Sequence, residues 1–141
     1  AGSINVEEYY GRLLEFVKNL KDEEKRALSE NLSEEELAVY DLMVRPPIKI
    51  THKDIMAIKK VAHNLLEKLK SEKLVLDWRK KQQSRASVKI CIEETFENLP
   101  PIFSTEIYRQ KCGLIYQHIY ESYYGNGTSV YASYTSVYSG A

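Results

Sequence analysis

The sequence predicts an all-α domain of about five amphipathic helices, and three observations carry that prediction. Apolar residues recur at intervals of three and four along most of the first 125 positions. Capping patterns stand ahead of the apolar runs, and no strand-type alternation of useful length occurs before residue 125. With 141 residues and 43% hydrophobic content, the chain suffices for one compact domain that buries roughly 68% of its unfolded surface.

Val6, Tyr9, Tyr10, Leu13, Leu14, Val17 and Leu20 predict a helix over residues 5–20 with one buried stripe. The segment KDEEKRALSEN continues as a short polar helix or turn. Ser33 with Glu36 forms a capping-box pattern that starts a helix through Leu37, Tyr40 and Val44, and Pro46 and Pro47 end it. Thr51 with Asp54 offers a second cap. From Asp54, the residues Ile55, Ile58, Val61, Ala62, Leu65, Leu66 and Leu69 predict a core helix to about residue 71, with a bend at SEK. LVLDW opens a long helical segment that Pro100 and Pro101 stop. Ser104 or Thr105 caps a last helix with Tyr108, Cys112, Ile115, Ile119 and Tyr123 on one stripe and Tyr116, Tyr120 and Tyr124 beside it. Gly125 is placed to terminate that helix in the left-handed conformation. The reading divides the chain into residues 1–3, which resemble a cloning remnant, a helical domain over 4–125, and a Ser/Tyr-rich tail over 126–141 that cannot form its own core.

Chemistry is scarce. There is no Gly-rich phosphate loop, no nucleophile elbow and no pair of histidines at ligand spacing, so no catalytic residue and no metal site is expected. Cys91 and Cys112 read as free thiols and small buried hydrophobes of a cytoplasmic protein. No run approaches the ~20 apolar residues of a membrane span, and no secretion signal is visible. The formal net charge of zero is a cancellation. Residues 1–44 hold 5 basic against 11 acidic residues, residues 45–92 hold 13 against 4, and residues 93–141 hold 2 against 5. The basic middle third attracts phosphates, an acidic partner, or the acidic first third.

Placed on one helix at about 100° per residue, Leu74, Trp78, Val88, Ile92, Phe96 and Leu99 share an arc that also holds Lys81 and Arg85, with Lys89 at its edge. Arg79 and Lys80 add charge to neighbouring faces. Three explanations stand side by side. The cations snorkel or pair with internal carboxylates; they meet a DNA backbone, with Gln82, Gln83, Ser84 and Ser87 as further donors; or they meet an acidic protein partner.

The segment LVLDWRKKQQSRASVKICIEETFENLP, followed by the Tyr-rich EIYRQKCGLIYQHIYESYYGNGTSVYA and preceded by LSEEELAVYDLM and VAHNLLEKLK, resembles the C-terminal helical region of the motor (restriction) subunit of type I restriction-modification enzymes. The resemblance runs from about residue 6 to 132. It implies a non-catalytic module that docks the motor subunit onto the methyltransferase and specificity subunits and touches double-stranded DNA. The parent's ATP- and Mg-dependent motor and endonuclease motifs do not occur in this sequence, so no cofactor is expected for this part. Trp78, Arg79, Lys80, Lys81, Arg85 and Lys89 are the candidate DNA- or partner-binding residues. The alternative is an independent helical nucleic-acid-binding domain.

Overall fold

A computed structural model describes residues 5–45 and 50–131. Among these, the helices are α1 (Val6–Lys18), α2 (Asp22–Glu30), α3 (Glu34–Val44), α4 (His52–Lys68), α5 (Gln82–Phe96) and α6 (Thr105–Ser122), followed by a hairpin of β1 (Tyr123–Gly125) and β2 (Thr128–Ser129). The predicted all-α class holds, with six helices rather than five and a two-stranded ribbon added. Pro46 and Pro47 lie outside the described residues.

The caps form as the sequence implies. Ser33 Oγ accepts the Glu36 amide and Glu36 Oε1 accepts the Ser33 amide, closing the capping box of α3. Thr51 caps α4 and Ser104 caps α6 in the same way, each accepting an amide three residues on. Each cap satisfies an otherwise orphaned N–H, worth about 1 kcal/mol. α4 packs on α3 and α5, and α6 packs on α5 and α3, around a core that includes Met43, Ile58, Leu65, Ile92, Phe96, Ile115 and Ile119.

The C-terminus of α3 is finished from a distance. Lys111 in α6 is buried, and its Nζ donates to the carbonyls of Leu42 at 3.3 Å and Arg45 at 3.0 Å while lying over the Phe103 ring. A cation there answers both the free carbonyls and the negative end of the helix dipole. Burial depresses the Lys111 pKa.

Four expectations need correction. First, α1 does not bury its stripe: Val6, Tyr9, Tyr10, Leu13 and Leu14 are all exposed, and α1 packs extensively on no other element. Periodicity shows that a helix has an apolar face; it does not supply the surface that covers it. Second, α4 ends at Lys68 and passes into a π-turn over Leu69–Lys73, closed by the Leu74 amide donating to the Leu69 carbonyl at 2.8 Å. The wide turn keeps both Leu69 and Leu74 buried.

Third, residues 74–99 are not one helix. Asp77 takes a left-handed conformation (φ 56°), Trp78–Lys80 form a 3₁₀ turn, and Lys81 is extended before α5 starts. Asp tolerates the left-handed region better than most residues. The break turns Trp78 fully inward, where its Nε1 donates to the Tyr123 carbonyl at 3.1 Å and its ring meets Tyr116 and Tyr120 edge-on. Fourth, α6 stops at Ser122, and Gly125 serves the hairpin instead, with φ 103° and Gly127 at φ 79°. A Cβ on Gly125 would lie 2.5 Å from the Val75 carbonyl oxygen and 3.1 Å from the Trp78 ring. Only glycine fits there. The first part of the tail docks, since Tyr131 packs against Tyr123 at 5.9 Å; residues 132–141 lie outside the described residues.

Gly125→Ala combines a disfavoured φ with a backbone clash, so it should cost at least about 3 kcal/mol and lower the melting temperature by roughly 10 °C. A thermal scan that moves by only a degree or two would contradict this close approach.

Stability should also fall in alkali. Burial, reinforced by the Glu35 charge and hydrogen bond, raises the Tyr123 phenol pKa; burial and neighbouring negative groups push Tyr108 up to about 12, and burial with Glu93 pushes Cys112 up to about 11. These groups keep their protons in the native state where the unfolded chain has lost them. Their contribution is complete below the ordinary thiol and phenol values and disappears as pH rises through the folded ones. Urea midpoints measured between pH 8 and 11 should decline steadily, and Tyr108→Phe should flatten the slope.

Candidate nucleic-acid and partner interface

The break at residues 77–81 gathers the sequence-predicted cations at the start of α5. Lys81 occupies the N-cap without a side-chain cap bond, and the first turn of α5 has no acidic residue. Free amides and the positive end of the helix dipole therefore face the same side as the cations. Arg85 Nη1 donates to the Arg79 carbonyl at 2.6 Å, tying α5 back to the 3₁₀ turn. Arg79 in turn donates to the Tyr120 carbonyl at 3.2 Å and lies over two rings, Tyr120 at 5.5 Å and Tyr124 at 5.0 Å. Lys89 Nζ sits 4.8 Å from the centre of the Tyr116 ring.

Three tyrosines at intervals of four on α6 and its continuation thus line up beside the cations. Sequence reading placed Tyr116, Tyr120 and Tyr124 next to the apolar stripe and missed this second use. The signal was present in their i, i+4, i+8 spacing, but nothing in the sequence aligned that row with residues 79–89. Trp78, also a predicted site residue, is fully buried and stands behind the cluster as its support. Cations held over ring faces gain about 0.5–1 kcal/mol each when exposed.

The carboxylates are elsewhere. Lys59 pairs with Glu30 at 2.9 Å, Lys70 with Glu35 at 2.9 Å, His63 with Glu36 at 2.6 Å, and Arg26 with Asp41 at 2.9 Å. Lys59, His63 and Lys70 of the middle third, on α4 and the π-turn, are therefore answered by carboxylates of the first third on α2 and α3, while Arg26–Asp41 pairs within the first third. At the α5 end, among the described residues, Lys80 has Asp77 at 3.7 Å, whereas Lys81, Arg85 and Lys89 form no ion pair. Lys81 and Lys89 are exposed.

Other chemistry is thin among the described residues. No three His, Cys, Asp or Glu side chains gather as a metal site, and no helix is long and apolar enough to cross a membrane. Cys91 and Cys112 are free thiols, the first buried and the second partly so. His118 is half-buried with Nε2 unpartnered, and burial lowers its pKa. The cavity of about 260 Å³ beside the hairpin is lined by Glu35, Lys70 and Tyr123, which are already bonded to one another.

A family model described as type I restriction enzyme HindI endonuclease subunit-like, C-terminal, matches residues 1–110. The chain belongs to this family. The match takes in α1 to α5 and the opening of α6, so it includes Trp78 and all five candidate cations; Tyr116, Tyr120, Tyr124 and the hairpin lie beyond it. No curated protein and no solved structure matches the chain. As a C-terminal domain of a type I restriction enzyme endonuclease subunit, the chain has its candidate interface inside the family region.

Within this family domain, Arg79→Ala should destabilise by about 1–2 kcal/mol, because a carbonyl bond and two ring contacts are lost together. Lys81→Gln and Lys89→Gln combined should cost no more than about 1 kcal/mol, most of it from the Tyr116 contact. Chemical denaturation of the two variants decides the matter: equal losses would mean that the lysines are structural after all.

Proposed function

We propose that this domain is a non-catalytic assembly module of a type I restriction endonuclease subunit, and that Arg79, Lys80, Lys81, Arg85 and Lys89 contact the DNA backbone beside the methyltransferase and specificity subunits. One observation carries the DNA part: the heads of Lys81, Arg85 and Lys89 meet a carbonyl, a ring or solvent, and no carboxylate. Cations that were internal counterparts of the acidic first third would resemble Lys59 and Lys70, which do meet carboxylates.

The chemistry suits phosphates better than bases. Arg85 and Lys89 stand one helical turn apart, about 6 Å along α5, and the helix start adds backbone donors. Such contacts position a duplex, carry little sequence information and release counterions. The proposed contact needs no cofactor, and ATP-driven translocation and cleavage belong to other parts of the parent subunit. Assembly is supported by the family membership, since the family is defined on a subunit of a multi-subunit enzyme class.

Binding to non-specific duplex should therefore weaken by roughly 40-fold between 50 and 200 mM salt if Lys81, Arg85 and Lys89 alone each neutralise a phosphate, and by roughly 500-fold if all five cations do. Replacing Lys81, Arg85 and Lys89 with Gln should flatten that slope by about 2.7. Because Arg85 also braces Arg79, a Lys80→Gln, Lys81→Gln, Lys89→Gln variant serves as the second measurement. A slope near zero in the wild type sinks the DNA reading. For assembly, the domain should co-elute with the methyltransferase core, and a full-length motor subunit that assembles normally without it would count decisively against docking.

A further inference from the structure

Among the described residues, α1 carries a run of exposed large apolar side chains. Val6, Tyr9, Tyr10, Leu13, Leu14 and Phe16 are between 44% and 69% exposed, and they form one continuous face about 160° wide on the helix. Scattered exposed hydrophobes need no explanation, but six large side chains on thirteen residues do. The face contributes nothing to the core of α3 to α6, so its apolar pattern is not there to fold the domain.

The charges beside that face indicate what covers it. Glu7 and Lys18 border the same edge of the apolar arc, one in the first turn and the other in the last. When two copies of α1 lie antiparallel about a two-fold axis, each edge meets the same edge of the partner helix. Glu7 of one copy then stands opposite Lys18 of the other, and the pairing occurs twice. A parallel arrangement would set each edge against the opposite edge, bringing Glu7 toward Arg12 of the other copy and leaving Lys18 with no carboxylate of α1 to meet. On the opposite edge, Arg12 approaches its counterpart across the axis, with Glu8 one turn away on its own helix as a counter-charge. The opposed helix dipoles also favour the antiparallel arrangement.

We propose that α1 is a self-association element: two copies of this chain pair through an antiparallel α1–α1 contact centred on Tyr10 and Leu13 and registered by two Glu7–Lys18 ion pairs. The apolar face offers on the order of 1,000 Å² for two copies, the small end of specific interfaces, where weak and transient contacts are found. Aromatic anchors surrounded by charged rims are the usual composition of such contacts.

Sedimentation equilibrium of the 141-residue chain tests this directly. The wild type should pass from monomer to dimer across the micromolar range, and Leu13→Glu should remain monomeric. Because α1 lies outside the core, Leu13→Glu should keep the buried emission of Trp78 and the wild-type unfolding midpoint at concentrations where both are monomeric. Glu7→Lys alone and Lys18→Glu alone should each weaken the dimer roughly five- to tenfold, since each sets two like-charged pairs in contact. A one-to-one mixture of these two variants should dimerise more tightly than either alone. A wild type that stays monomeric up to about millimolar concentration overturns the proposal, as it would if another surface of the parent subunit or the methyltransferase covered α1. Single-charge variants that dimerise as tightly as the wild type would overturn the antiparallel register.

Discussion

The fold turns on the burial of one indole. Trp78 sits at the break between the π-turn and α5, donates to the Tyr123 carbonyl, and is boxed in by Tyr116 and Tyr120 of α6 and by the backbone of Gly125. That single residue joins the crossover segment, the last long helix and the hairpin. A buried indole N–H without an acceptor costs about 1–3 kcal/mol, so the carbonyl of Tyr123 has to be there. It is available because α6 ends at Ser122 and the chain extends through Tyr123 instead of continuing as helix. The left-handed Asp77 and the glycine at 125 are two consequences of the same requirement, one aiming the indole and the other clearing space beside it.

This arrangement accounts for the division of charge. The carboxylates of α2 and α3 face α4 and the π-turn after it, where Lys59, His63 and Lys70 answer Glu30, Glu36 and Glu35. Residues 79–89 belong to the other side of the break, where Arg79, Arg85 and Lys89 are held by carbonyl oxygens and ring faces. Neutral partners fix a cation without cancelling its charge. Arg79, bound to the Tyr120 carbonyl and lying over two rings, is therefore both ordered and still able to attract an anion. A carboxylate partner would have given order at the expense of field.

Much of this was legible in the sequence, and the rest was hidden for identifiable reasons. The caps at Ser33, Thr51 and Ser104 are local, three-residue interactions; the sequence names the first two outright and the third as one of two neighbours, Ser104 or Thr105. The inward faces of α4 and α6 follow from periodicity. The helix wheel failed over residues 74–99 because it assumes an unbroken helix, while the left-handed turn at Asp77 is imposed by Trp78 and by contacts more than forty residues away. With the break, Lys81 and Arg85 cease to interrupt an apolar stripe: Lys81 precedes the helix, and the buried face of α5 is Val88, Cys91, Ile92, Thr95 and Phe96. Lys111 is the converse case. A lysine among apolar residues of α6 reads as a surface residue, and only the distant C-terminus of α3 gives its charge a reason to be buried.

The cations first noticed as a flaw in a hydrophobic pattern are thus the product of a different device. Had residues 74–99 formed one helix, Lys81 and Arg85 would have required either burial against carboxylates or a strip of core left open to water, both costly. Breaking the helix at Asp77 removes the conflict, since the indole goes in while the charges that follow it come out. The same stretch, residues 77–81, also ends with unoccupied backbone donors at the start of α5. Core packing and the basic cluster are therefore not competing demands on this segment. The position of the indole sets the position of the charges, so a change that loosens Trp78 moves the cations of residues 79–89 before any of them is substituted.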